Sequence, residues 1–173
     1  MAKAARAEEK SPRQKKRLTR RNEIWTDADN ETWKHEQEIG WVPVLPRVLP
    51  QVAALANHLA PKGKGDPGLV YLDLWFRTDE DSFVRVLRAD DMAAGVGFTG
   101  QRMERSWNER MHALADLGLI RLHKNESTDE IVVVLLVNPV AAVERLLETR
   151  TDIPPAWRAA WRERLDEIQN APT

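Results

Sequence analysis

Residues 83–137 read F-V-R-V-L (83–87), D-D-M-A-A-G-V-G-F-T-G (90–100), Q-R-M-E-R-S-W-N-E-R-M-H-A-L-A-D-L-G-L-I-R-L (101–122), a polar tip, and E-I-V-V-V-L-L-V (130–137). The pattern predicts a strand, a short helix, a glycine-rich turn, a long helix over about Thr99 to Gly118, a strand, a loop and a strand. Met103, Trp107, Met111, Leu114 and Leu117 recur at spacings of three and four, so they make one apolar stripe that faces a core. About half a turn away lie Gln101, Arg105, Asn108 and His112, with Arg102 beside them. These types can hydrogen-bond base edges or phosphates. Glu104, Glu109 and Asp116 on the same broad face fit a plain solvated side equally well.

This order of elements, and the junction A-L-A-D-L-G-L-I-R-L (113–122) where a helix stops at a glycine and a strand begins, resembles the winged helix-turn-helix superfamily. The resemblance implies a mostly α fold with a small β-hairpin wing, an α+β class, and double-stranded DNA as partner. It makes Gln101, Arg102, Arg105, Asn108 and His112 the candidate reading residues, and Arg121, His123 and Lys124 the basic residues of the wing. Two departures stand out. The second helix is about one turn longer than in compact versions, and the tip N-E-S-T-D-E carries Glu126, Asp129 and Glu130 where a phosphate-contacting wing would carry Lys or Arg. Such a wing is either lifted from the duplex or serves a protein partner.

The 173 residues, 42% apolar and 31% charged, fit one globular domain with polar extensions. No apolar run approaches twenty residues and no secretory signal is visible, so the expected location is the cytoplasm, without a membrane. Without cysteine there is no thiol catalysis, disulfide or thiolate-bound zinc. The charge is uneven. Residues 1–21 hold nine Lys or Arg against Glu8 and Glu9, a net +7, while the remainder holds 17 basic and 25 acidic residues, a net −8. Residues 1–22 contain almost no large apolar side chain and read as a flexible basic arm, with Arg13, Lys15, Lys16, Arg17, Arg20 and Arg21 as candidate DNA contacts. The alternative is a solubilising tail, or an arm lying on an acidic neighbour.

Residues 23–45 carry Trp25, Trp33 and Trp41 among acids and read as a segment wrapped on the core of a winged helix domain over 46–137. Asp27, Asp29, Glu31 and Glu38 mimic calcium-loop positions, but Thr32 stands where that loop needs glycine. A helix starting near Pro46 or Pro50 carries Leu49, Val52, Ala56 and Leu59 on one face. K-G-K-G-D-P-G (62–68) lacks the Ser or Thr and the preceding strand of a phosphate loop; Asp66 and Pro67 read instead as cap and first residue of a helix over L-V-Y-L-D-L-W-F-R (69–77). T-D-E-D-S (78–82) reads as an acidic turn. Gly95, Gly97 and Gly100 spell G-x-G-x-x-G, but a helical stretch intervenes between the strand and Gly95, so no dinucleotide cofactor is expected, nor any other.

Residues 138–173 provide two helices, the first started by Asn138 and Pro139, the second by Pro155. In the second, Trp157, Trp161, Leu165 and Ile168 form a narrow stripe, for packing on the body or for a homodimer seam. The four histidines fall in unrelated elements and no nucleophile-base spacing is present, so catalysis is not expected. The expected function is sequence-preferring binding of double-stranded DNA, as a transcriptional regulator or a replication or maintenance factor of a plasmid or other mobile element. The alternative is a protein-interaction scaffold that meets a protein partner through its acidic body, with a basic arm binding nucleic acid without sequence preference.

Overall fold

Three short strands, β1 (Phe83–Arg85), β2 (Ile120–Lys124) and β3 (Ile131–Leu136), pair antiparallel in the order β1-β3-β2 in a computed structural model describing residues 11–32, 44–63, 65–78 and 81–169. Phe83 opposes Leu135 and Leu122 opposes Val134, with one irregularity between His123 and Lys124. The remainder is mostly helical: α1 (Pro12–Ile24), α2 (Ala28–Glu31), α3 (Val44–Leu59), α4 (Gly68–Arg77), α5 (Ala89–Gly95), α6 (Met103–Asp116), α7 (Pro139–Thr149) and α8 (Pro155–Gln169). The class is α+β.

Strand alternation gives the sheet two apolar faces. Val84, Ile120, Val134 and Leu136 join the main core with α3, α4 and α6. Phe83, Val133 and Leu135 face the other way, where Trp25 and Ala28 cover them. Residues far apart in the chain therefore sandwich the sheet.

Over 11–22 the cover corrects the expectation of a flexible arm; residues 1–10 lie outside the described residues. Residues 12–24 form α1, and the fold of the described chain begins at Ser11. The Ser11 hydroxyl accepts from Gln14 N and the Gln14 side chain accepts from Ser11 N, a reciprocal cap ahead of Pro12 in the first turn. Docking is largely ionic, which is why the segment needs few apolar side chains. Arg17 donates from Nε and Nη2 to Asp81 at 2.7 and 3.0 Å, and from Nη2 to Phe83 O at 2.7 Å. Arg21, buried, donates to Asp81 O at 3.0 Å and pairs with Asp29. The ladder to β3 runs through Ser82 O and Val86 N, so Phe83 presents its backbone groups at the outer edge of β1. Arg17 and Asp81 occupy that edge and close it to another strand. The acidic turn over 78–82 thus contributes a buried counterion.

Of the wrapping tryptophans, Trp25 meets Phe83 edge-on at 6.3 Å, whereas Trp33 and Trp41 lie outside the described residues. Asp27, Asp29 and Glu31 serve as counterions to Arg121 and Arg21; Glu38 lies outside the described residues.

Leu49, Val52, Ala56 and Leu59 are buried on α3 as their spacing predicts. That helix begins at Val44, ahead of Pro46, and runs through Pro50, which is exposed. Asp66 does not cap α4. Asn57 Oδ1 accepts from Gly68 N at 2.6 Å instead, and a Cβ on Gly68 would stand 2.6 Å from Ala53 O, so the α3–α4 approach requires glycine. Within α4, Asp73 and Arg77 pair at 2.6 Å as expected. β1 stops at Arg85, two residues short of the expected Leu87.

In the carboxyl-terminal part, Asn138 Oδ1 accepts from Val140 N and Ala141 N to start α7. On α8, Trp161 and Ile168 are buried in the main core, with Trp157 and Leu165 partly buried against it. Trp161 Nε1 donates to Glu144 Oε1 at 2.8 Å, and its ring stacks on Trp157 at 5.6 Å. The stripe that the sequence divides between body and dimer seam packs on the body. Among the described residues, no helix is long and apolar enough to cross a membrane.

Candidate nucleic-acid interface

α5 and α6 meet across the turn 96–102, closed by Phe98 N donating to Ala93 O at 3.0 Å, and Gly97 and Gly100 take the positive φ values this path requires. α6 starts at Met103, four residues later than expected, because the chain is still turning at Gly100. Trp107, Met111 and Leu114 are buried, so the stripe faces the core.

The late start divides the expected reading face. Gln101 lies in the turn and Arg102 at the N-cap, both exposed. Arg105, 76% exposed, stands in the first turn of α6 with Glu109 at 3.2 Å. Asn108 and His112 instead line a cleft of about 590 Å³ between α6 and the β2–β3 hairpin. The walls of that cleft are rich in acid: Asp90, Glu104, Asp129 and Glu130 against Arg88 and Lys124. Both cations are engaged locally, Arg88 with Asp90 at 2.6 Å and Asp91 at 3.3 Å, Lys124 with Asp129 at 3.0 Å. The Arg88 hydrogen bond holds the Asp90 carboxyl below the usual aspartate range.

The basic residues of the β2–β3 hairpin are engaged too. Arg121 Nη1 donates to Asp27 and Glu31, both at 2.8 Å, tying β2 to α2. Burial opposes the charged Arg121, but the hydrogen bonds to Glu31 and Asp27 outweigh it and hold its pKa above the usual arginine value. The same hydrogen bond holds Asp27 below the ordinary aspartate range. His123 lies edge-on against Trp25 at 6.2 Å. Arg121, His123 and Lys124, the basic residues expected on the wing, are thus each engaged within the protein, Arg121 with α2, His123 with Trp25 and Lys124 with Asp129.

On α1 the six arm residues separate by helical geometry. Arg17 and Arg21 turn toward the sheet; Lys15, Lys16 and Arg20 are exposed, Lys16 and Arg20 at the rim that faces Arg85, with Arg20 3.6 Å from Glu23. Arg13 lies on α1 with its side chain outside the described residues. Sequence reading missed Arg85 and Asp81. Period-two alternation in F-V-R-V-L places Arg85 on the outer sheet face beside Phe83, a signal available in the sequence. Nothing local marks Asp81 as the counterion of a helix 64 residues away.

Among the described residues, no group of three or more His, Asp or Glu is arranged to hold a metal ion. No protein-family model matches the chain, and no significant match exists among curated proteins or solved structures.

Proposed function

We propose that this chain is a sequence-preferring double-stranded-DNA-binding protein of winged helix-turn-helix type, with the amino end of α6 entering the major groove. The observation carrying this reading is the exposure of Gln101, Arg102 and Arg105 at the start of a helix whose opposite stripe is buried. Helix-turn-helix proteins contact base edges with those amino-terminal positions. The succession α4-β1-α5-α6-β2-β3, with strand order β1-β3-β2, supports it. Arg102 and Arg105 offer guanidinium forks to guanine edges and Gln101 an amide to adenine. Asn108 and His112, set back in the cleft, act on the flank of the contact. The hairpin, acidic at its tip, stays off the duplex or turns its acids from it. Regulation of transcription, or replication or maintenance of a mobile element, are the processes such an activity serves.

The test selects preferred sites from a random duplex library and compares the parent chain with Arg102→Ala/Arg105→Ala. Each bidentate base contact contributes about 1–3 kcal/mol of discrimination, so the variant should lose about 10-fold or more in preference for the selected site over random duplex. Equal weakening on all sequences would remove these residues as readers.

A second reading rests on the acidic cleft between α6 and the hairpin. Asp90, Glu104, Asp129 and Glu130 there suit a basic protein segment, which makes the body a scaffold. Capture of the folded body by such a partner, with no duplex selected from the library, would favour it.

A further inference from the structure

Among the described residues, many basic side chains are paired with acids, as Arg77, Arg88, Arg121 and Lys124 are. A groove of about 700 Å³ runs between α1 and the outer face of the sheet, lined by Pro12, Lys16, Arg17, Arg20, Phe83, Arg85, Val132 and Val133. Among the described residues its lining contains four cations and no carboxylate, whereas the α6–hairpin cleft contains four carboxylates. Arg17 is neutralised by Asp81 behind it. Lys16 and Arg85 are exposed and make no ion pair among the described residues; Arg20, 62% exposed, has only Glu23 at 3.6 Å. Like charges four apart on a helix, as at Lys16 and Arg20, repel by a few tenths of a kcal/mol, and Arg85 brings a third from across the groove. This repulsion stabilises nothing in the fold.

We propose that this groove is the protein's principal phosphate-binding surface and that its occupant is the sugar-phosphate backbone of duplex DNA. Charge complementarity selects a polyanion. The lining further selects among polyanions: Lys16 and Arg20 lie about 6 Å apart along the helix axis, the scale of neighbouring phosphates on one strand. The floor, Val132 and Val133, is shallow aliphatic surface beside a nearly fully buried Phe83, and it offers no deep pocket to anchor a peptide side chain. Arg85 provides a guanidinium fork, and with Lys16 and Arg20 it makes three cationic contacts that hold backbone without reading sequence. The sheet separates this surface from α6, since α6 packs on the inner face and α1 on the outer. Affinity and reading are thereby assigned to different sides of the molecule. The identity of the occupant rests on the DNA-binding reading; the cationic character of the groove does not.

The test titrates the full chain into a labelled random-sequence duplex at several salt concentrations, with Lys16→Ala/Arg85→Ala, Arg162→Ala as an exposed-cation control on α8, and Arg102→Ala/Arg105→Ala. Each phosphate contact adds about 0.9 to the salt slope. The groove variant should lose about two units of slope and bind at least 10-fold more weakly at moderate salt, with an unchanged melting temperature, while Arg162→Ala retains the parent slope. A parent slope in the groove variant, or equal loss in Arg162→Ala, overturns the groove assignment. Displacement of the duplex by poly-glutamate at matched charge concentration also overturns it, in favour of an acidic protein. Loss of slope in the groove variant with site preference unaffected by Arg102→Ala/Arg105→Ala would sink the α6 reading and leave the groove standing; the reverse pattern would do the opposite.

Discussion

Arg17 and Asp81, 64 residues apart in the chain, form a two-bonded ion pair with Nε–Oδ2 at 2.7 Å and Nη2–Oδ1 at 3.0 Å. Asp81 also accepts from Phe83 N at 3.4 Å, so one carboxylate joins α1 to the entry of β1. Removing one partner of a largely buried pair leaves the other charged and unmatched, at a cost of about 3 kcal/mol. Asp81→Asn should lower the free energy of urea unfolding by about that amount. A change within 0.5 kcal/mol would show that α1 contributes little to the fold.

The Asp27–Arg121 contact gives a pH dependence with a definite sign. Asp27 has its folded pKa depressed by the Arg121 hydrogen bond, so the tie between α2 and β2 is complete above the ordinary aspartate range. It weakens as pH falls through the lower folded value. Carboxyl NMR should place the Asp27 midpoint below that of an unstructured aspartate, and Arg121→Gln should move it upward. Identical midpoints in parent and variant would remove Arg121 as the cause.

Gly68→Ala tests the α3–α4 approach. The added Cβ would stand 2.6 Å from Ala53 O, a backbone atom that cannot rotate aside. Overpacking of this kind costs about 1–3 kcal/mol, read as a drop in melting temperature. An unchanged melting temperature would mean that the two helices part without penalty.

Trp161→Ala should destabilise the chain by about 3–5 kcal/mol, because it empties a fully buried site and abandons the Glu144 hydrogen bond. Sedimentation before and after the change addresses the alternative use of the stripe. Dissociation of a dimer in Trp161→Ala with little loss of unfolding energy would reassign it to a seam.

The sequence revealed elements whose signals are local. The 103-107-111-114 stripe located α6, Asn138 and Pro139 located α7, and the strands around the polar tip emerged from their β-branched runs. Failures arose where the determinant was non-local. α1 was read as a flexible arm because ion pairs to Asp81 and Asp29, not apolar area, dock it. Its own amino-terminal signal, Ser11-Pro12 followed by Gln14, was present. In the candidate site, residue types did not disclose which cations had partners. Arg121 and Lys124 look available in sequence and are braced in three dimensions, whereas Arg85 was overlooked on its strand.

The two-sided sheet has a consequence for synthesis. α1 leaves the ribosome well before the surface it covers, since Asp81 and Phe83 follow some sixty residues behind Arg17 and Leu135 more than a hundred behind. Until β1 emerges, the helix has its Ser11–Gln14 cap and the Arg21–Asp29 pair but no sheet face to cover. Docking of α1 is therefore a late step in biogenesis. A nascent chain halted before residue 81 carries Arg17 without its Asp81 counterion, while Asp29 is already in place for Arg21.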